Sequence, residues 1–260
     1  MTPRAVRWAG AAAVVVVVLC GWSRPLPRFH PPHAVRVPIL MYHRVGSSPA
    51  TAPAVTKALT VGPRDFAAQM RWLHASGFHA ITQGQLLGAQ LLGLPLPRRP
   101  VLITFDDGYR DVLWNAAPLL HRLRMPATMY VITGRVGAGD PSFLTWPEIR
   151  RLERLGFDIG SHTVHHVDLT REPPNAAASE LVDSKRTLEQ RLGRAVPWFS
   201  YPVGRFDRSV VAAVARAGYL LAVTTKPGAQ QTNRLELHRF EVLSWTGRTG
   251  LKALLKSAFR

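Results

Sequence analysis

"VLITFDDGYRD" occupies residues 101–111. Val101, Leu102, Ile103, Thr104 and Phe105 form a short run of β-branched and apolar residues, the signature of a buried strand. Two adjacent aspartates, Asp106 and Asp107, follow at once, and then Gly108. Like charges side by side repel, and strands disfavour Asp. One reading is an Asx turn that closes the strand. The other is that the strand ends in a chemical site.

Outward from that stretch the chain alternates strands and helices. Residues 37–42 ("VPILMY") read as a strand. A helix starts at Gly62–Pro63, carries Phe66, Met70 and Leu73 on one face, and stops at Gly77. Residues 79–83 are predicted as a short strand, 86–97 as a helix and loop, 115–123 as a helix, and 127–133 as a strand. "TWPE" (145–148) has the form of a capping box and opens a helix that ends at Gly156. "FDIGSH" (157–162) is the next strand. Leu181, Ser184, Leu188 and Leu192 mark a helix stopped by Gly193. Residues 196–201, 207–217 and 219–225 continue as strand, helix, strand. About seven such units predict parallel strands wrapped by helices, closed as a barrel rather than left as an open sheet.

The chain has 260 residues with 33 Lys+Arg against 16 Asp+Glu, a net charge of +17 that favours anionic partners such as wall polymers or membrane lipid. Its arginines are dispersed and form no stripe with interleaved aromatics, so no nucleic-acid partner is expected. The one cysteine, Cys20, excludes an intrachain disulfide and a Cys-rich zinc knuckle. Any metal must be held by His, Asp or Glu. Arg4 and Arg7 precede an uncharged, largely apolar run at 8–23. Residues 1–24 thus read as an uncleaved signal anchor or a signal peptide, and 25–36 as a Pro-rich spacer, with the remainder outside the cytoplasmic membrane.

In parallel α/β folds the chemistry gathers at the C-terminal ends of strands. Asp106 and Asp107 fall at one such end, "SHTVHH" (161–166) at a second and "SYPVG" (200–204) at a third, with His238 near a late apolar segment. His162 and His166 are spaced i, i+4, while His165 offers i, i+3. Either pair with one carboxylate would chelate a divalent ion and leave positions open for water and substrate. A cation would compensate Asp107, and Asp106 would remain ionised beside it as a base.

"ITFDDGY", "IGSHTVHHVDLT", "ELVDSKRTLEQRLG" and "FSYPVGRFD", in that order, resemble the polysaccharide deacetylases of the NodB-homology class, carbohydrate esterase family 4. "VPILMYHRV" and "LTWPEIRRLERLGFDIGSH" resemble its poly-N-acetylglucosamine branch. The resemblance implies a deacetylase domain over 37–260, with a NodB-homology core at about 99–245, and a distorted (β/α) barrel of seven strands. It implies one divalent ion, zinc before cobalt or nickel, held by Asp107, His162 and His166, with Asp106 as catalytic base. Tyr201 and Pro202 fall where the family lines its substrate groove, and a backbone N–H near Tyr201 would hold the oxyanion. The implied reaction is hydrolysis of N-acetyl groups on an extracytoplasmic N-acetylglucosamine-containing polysaccharide by a monomeric enzyme. A carbohydrate-binding pseudoenzyme and an amidohydrolase acting on another amide, such as a cyclic imide, are the alternatives.

Two features depart from the family pattern. The Arg that usually orients the catalytic Asp is missing from "SYPVG". The late Leu–x–His that supplies the catalytic acid has an echo in "LELH", ending at His238, while His43 of "MYHRV" is the rival acid at the end of the first strand.

Overall fold

The structure is a computed structural model and describes residues 34–258. The expected anchor and most of the Pro-rich spacer lie outside the described residues. Among the described residues no helix is long and apolar enough to cross a membrane.

The scaffold is built from β1 (Ile39–Tyr42), α1 (Ala54–Leu59), α2 (Pro63–Ala75), α3 (Gln83–Leu92), β2 (Pro100–Phe105), α4 (Asp111–Asn115), α5 (Ala117–Arg122) and β3 (Ala127–Val131). It continues with α6 (Trp146–Arg154), β4 (Phe157–Ser161), α7 (Pro174–Leu192), β5 (Trp198–Ser200), α8 (Arg208–Arg216), β6 (Leu221–Val223), β7 (Phe240–Glu241) and α9 (Gly247–Ala258). The seven strands pair in parallel in the order β7-β1-β2-β3-β4-β5-β6. The short strand His79–Ala80 adds to the start of β2. The result is an α/β half-barrel. No ladder joins β6 directly to β7; a single parallel bridge from Val223 to Leu237 spans the seam. The predicted barrel therefore holds in strand number and direction, while closure is incomplete.

Side chains alternate across each strand. Leu102 shares an inner cluster with Ile39, Tyr130, Trp198, Leu221 and Leu237. Ile103 and Phe105 instead belong to the larger core under the helices, with Leu40, Tyr42 and Met129. By the same alternation Thr104 and Asp106 follow Leu102 toward the barrel interior. Tyr42 pairs with Phe105, Ser161 with Phe199 and Val223 with Ser200. That register sets His43, Asp106, His162 and Tyr201 at one end of the sheet.

Local chemistry sets the element ends. Thr145 and Glu148 form the expected capping box, and Gly193 ends α7 in the left-handed conformation. A second capping box, Thr82 with Gln85, starts α3 at Gln83 and cuts the expected 79–83 strand to two residues. The helix expected over 115–123 is two, α4 and α5, because Pro118 has no N–H to carry a continuous helix past it. Helices α1 and α9 were not expected from the sequence.

Candidate active site

The positive-φ residues explain the aspartate pair. Asp107 (φ 74°) and Gly108 (φ 86°) turn the chain in consecutive left-handed steps. Asp tolerates that region better than most residues, and Gly meets no Cβ penalty there. The turn leaves Asp106 facing inward while Asp107 swings to the mouth. Thr163 (φ 65°), His166 (φ 61°) and Val203 (φ 51°) are also left-handed. Strained backbone of this kind persists where the surroundings over-determine it, and Asp107, His166 and Val203 all line one cleft.

The cleft has a volume of about 420 Å³ and is lined by Asp106, Asp107, His162, His166, His43 and Tyr201. Met41, Val55, Leu59 and Val203 supply its apolar surface. Asp107, His162 and His166 offer one ligand atom each within 4.8 Å of one another. Both Nε2 atoms face the same carboxylate oxygen, Asp107 Oδ1, at 3.4 Å and 3.6 Å. Asp107 Oδ1 is buried and has no hydrogen-bond partner among the described residues. The Nδ1 of His162 lies 2.8 Å from the Ser200 carbonyl, which fixes Nδ1 as the protonated nitrogen and leaves the Nε2 lone pair toward Asp107. An orphaned carboxylate oxygen beside two imidazole nitrogens is a donor set that fits a divalent metal. His165 is not in the cluster. Its Nδ1 meets Glu180 Oε1 at 2.6 Å on the exposed side of the loop.

The loop bearing His166 is held from α7. Glu180 Oε2 accepts from the N–H groups of Val164 and His165, both at 2.9 Å. Thr163 Oγ1 accepts from the His166 N–H at 2.9 Å. Glu180 opens the "ELVDSKRTLEQRLG" stretch, but nothing in its spacing marks it as the support of a ligand loop.

Asp106 is gripped by Arg239, a residue that sequence reasoning missed. The two guanidinium nitrogens reach Asp106 Oδ1 and Oδ2 at 2.7 Å each. Arg239 is anchored further by Thr224 O at 2.7 Å and Ser200 Oγ at 3.1 Å. Burial pushes the Asp106 carboxyl up, but the Arg239 charge and hydrogen bonds outweigh it and hold the group well below the usual carboxylate range. With Asp106 neutralised by Arg239, Asp107 is left as the uncompensated charge at the mouth.

His238 does not line this cleft. Its backbone N–H and C=O bond to the Gln231 side chain, and its ring packs against Gly228. The neighbouring Arg239 takes the inward position, and alternation turns His238 away. Pro202 is buried and does not line the cleft either. The Tyr201 N–H donates to Val223 O at 3.1 Å, so that amide is not free for an oxyanion. The Tyr201 hydroxyl is also committed, donating to Leu235 O at 2.9 Å.

These features define a class: a parallel α/β half-barrel with a metal-fitted His–His–Asp cluster and a buried second carboxylate at the strand ends. The comparisons agree. The "Polysaccharide deacetylase" family profile matches residues 93–222, half of the chain. The chain is 34% identical over 213 residues to YxkH of Bacillus subtilis (strain 168), whose name assigns it provisionally to the polysaccharide deacetylases; the match covers 80% of this chain and 71% of that protein. It is 25% identical over 174 residues to a poly-beta-1,6-N-acetyl-D-glucosamine N-deacetylase of Staphylococcus aureus (strain MSSA476), covering 62% of this chain and 60% of that one. Among solved structures, the Streptococcus pyogenes deacetylase PplD, in complex with acetate, superposes with a TM-score of 0.78 at 29% identity, covering 85% of this chain and 99% of the other. IcaB from Ammonifex degensii shares the fold, with a TM-score of 0.73 at 23% identity over 84% of this chain and 96% of the other. The chain belongs to the polysaccharide deacetylase family and is a deacetylase enzyme.

Proposed function

We propose that this enzyme removes N-acetyl groups from an extracytoplasmic polysaccharide containing N-acetylglucosamine. The observation that carries the reading is the Asp107–His162–His166 cluster beside Asp106 in an open cleft. The name of the Staphylococcus aureus relative supports the choice of sugar. Arg4, Arg7 and the run at 8–23 support export, with a membrane anchor holding the catalytic domain outside.

In this reading Asp107, His162 and His166 hold the ion, with Zn2+ favoured by the nitrogen-rich ligand set. Bound there, the cation would acidify a water and offset charge on the amide oxygen. Asp106 would take the proton of the attacking water. Arg239 keeps both oxygens of Asp106 fixed in direction. His43 lines the cleft, and its Nδ1 is buried without a hydrogen-bond partner among the described residues. We assign it the protonation of the leaving amine in preference to His238. Met41, Leu59 and Tyr201 bound the space beside the carboxylates and limit water there.

Acetate release by the purified protein from poly-N-acetylglucosamine, peptidoglycan glycan and chitin oligomers tests the reading. Metal-dependent release from at least one of them is expected. Release from none would contradict it.

A further inference from the structure

Beyond the cleft, the chain leaving β7 carries an indole into solvent. Trp245 is 71% exposed, the most exposed of the large apolar side chains among the described residues. An indole left mostly in water forgoes the burial free energy its ring would otherwise gain. The backbone turn that carries it is held in place. The Val242 N–H donates to Met41 O at 2.9 Å and the Ser244 N–H to Ala58 O at 2.8 Å. Leu243 and Thr246 close the turn on each other, through Leu243 N–H to Thr246 Oγ1 and Thr246 N–H to Leu243 O, both at 2.9 Å. The turn is thereby tied to β1 and to α1, the two elements that also bring Met41, Val55 and Leu59 to the catalytic cleft.

Trp245 lines a second cleft of about 540 Å³ with Leu243, Arg248 and Glu241. Glu241 also lines the catalytic cleft. The two are therefore neighbours across one side chain, and four peptide steps keep the Cα atoms of Glu241 and Trp245 within about 14 Å. The catalytic cleft also shares Gly204 with a third depression, lined by Arg205, Phe206 and Lys226. A Cβ at Gly204 would collide with the Thr225 side chain, so the close approach of these two segments requires glycine. Shared lining residues thus join the catalytic cleft to both neighbouring depressions.

We propose that Trp245 forms a sugar-binding subsite of the same groove, taking a pyranose ring of the polysaccharide chain whose neighbouring unit sits at the Asp107–His162–His166 cluster. The inference rests on the polysaccharide reading above. A pyranose ring presents an apolar C–H face and a rim of hydroxyls. The indole supplies a flat apolar partner for the first, and Glu241 and Arg248 supply an acceptor and a donor for the second. A groove of this kind binds internal units of a chain and discriminates by length.

The test is a series of N-acetylglucosamine oligomers, dimer to hexamer, with kcat and KM measured for wild type, Trp245→Ala and Trp245→Phe, and calorimetric titration of the hexamer. An aromatic stack of this sort is expected to raise the hexamer-to-dimer ratio of kcat/KM by about threefold to tenfold, through KM. Trp245→Ala should lose that gain and Trp245→Phe should keep most of it. Trp114→Ala, an exposed indole outside the groove, should leave the ratio as in wild type. A length dependence unchanged in Trp245→Ala overturns the subsite, and would leave the indole to a protein or membrane contact. Hexamer binding that depends on Trp245 without any acetate release would uphold the subsite and sink the deacetylase substrate. Neither release nor binding would sink both.

Discussion

Arg239 and Asp106 form a bidentate ion pair with side chains 0% and 3% exposed, inside the half-barrel. The guanidinium reaches the carboxylate from the end of the chain, 133 residues away in sequence. The pairing substitutes, from a different position, for the Arg that "SYPVG" lacks.

Removing the guanidinium should strand a buried charge. Arg239→Met is expected to lose about 3–5 kcal/mol of stability, and Asp106→Asn/Arg239→Met to recover most of it. The folded Asp106 carboxyl lies below its unfolded value. Its contribution is therefore present above the unfolded value of about 3.9 and is lost as pH falls toward the folded one. Without Arg239, burial dominates and raises the group, so the acid limb of kcat/KM should move to higher pH. Thermal melts and a pH–rate profile check both; a variant with wild-type melting and an unmoved limb would refute the coupling.

Asp106→Asn removes the proton acceptor and leaves the Asp107–His162–His166 set in place. Bound metal should stay stoichiometric while turnover drops by roughly 10²–10⁴-fold. Near-normal acetate release would remove Asp106 from the base role.

The acid assignment separates two histidines by position. His43→Ala should cut turnover with metal content intact. His238→Ala should leave turnover near that of wild type, because its ring sits against Gly228 outside the cleft. The reverse pattern would reinstate His238.

Glu180 ties α7 to the ligand loop, and its carboxyl is held low. Burial pushes it up, while His165 and the two backbone N–H groups outweigh that effect. Glu180→Gln should cost about 1.5–3 kcal/mol at neutral pH, the usual worth of hydrogen bonds to a charged group. Because the folded value is depressed, the difference from wild type should shrink as pH falls through it. Metal affinity should weaken by roughly 10-fold or more, as for other supports of ligand residues. Equal melting temperatures at pH 7 would show the loop to be held by other contacts.

Much of the fold was legible because the periodicities were strong. The β2 run and the Gly-terminated helices appear where alternation and stop signals put them, and the capping box at Thr145–Glu148 forms. The convergence of the aspartate pair with the 162–166 histidines was legible from strand ends, while the choice of His162 and His166 over His165 came from the family resemblance. Arg239 was not, because a lone Arg before Phe240 gives no local sign that it will reach Asp106 two strands away. "LELH" drew attention to His238, one residue short of the group that faces inward. Helix α1, which lines the cleft with Val55 and Leu59, has no buried residue and hence no apolar stripe to read. The split of α4 from α5 was signalled by Pro118 and outweighed by the apolar pattern around it.

A cation held by Asp107, His162 and His166 makes deacetylation metal-dependent in this reading. The direct measurement is acetate release from an N-acetylglucosamine polymer by the chelator-stripped protein, titrated with Zn2+, beside His162→Ala and His165→Ala. Stripped protein should release none, and recovery should saturate at one ion per chain. Recovery should be abolished in His162→Ala and largely retained in His165→Ala. Full release from metal-free protein, or normal metal recovery in His162→Ala, would contradict it.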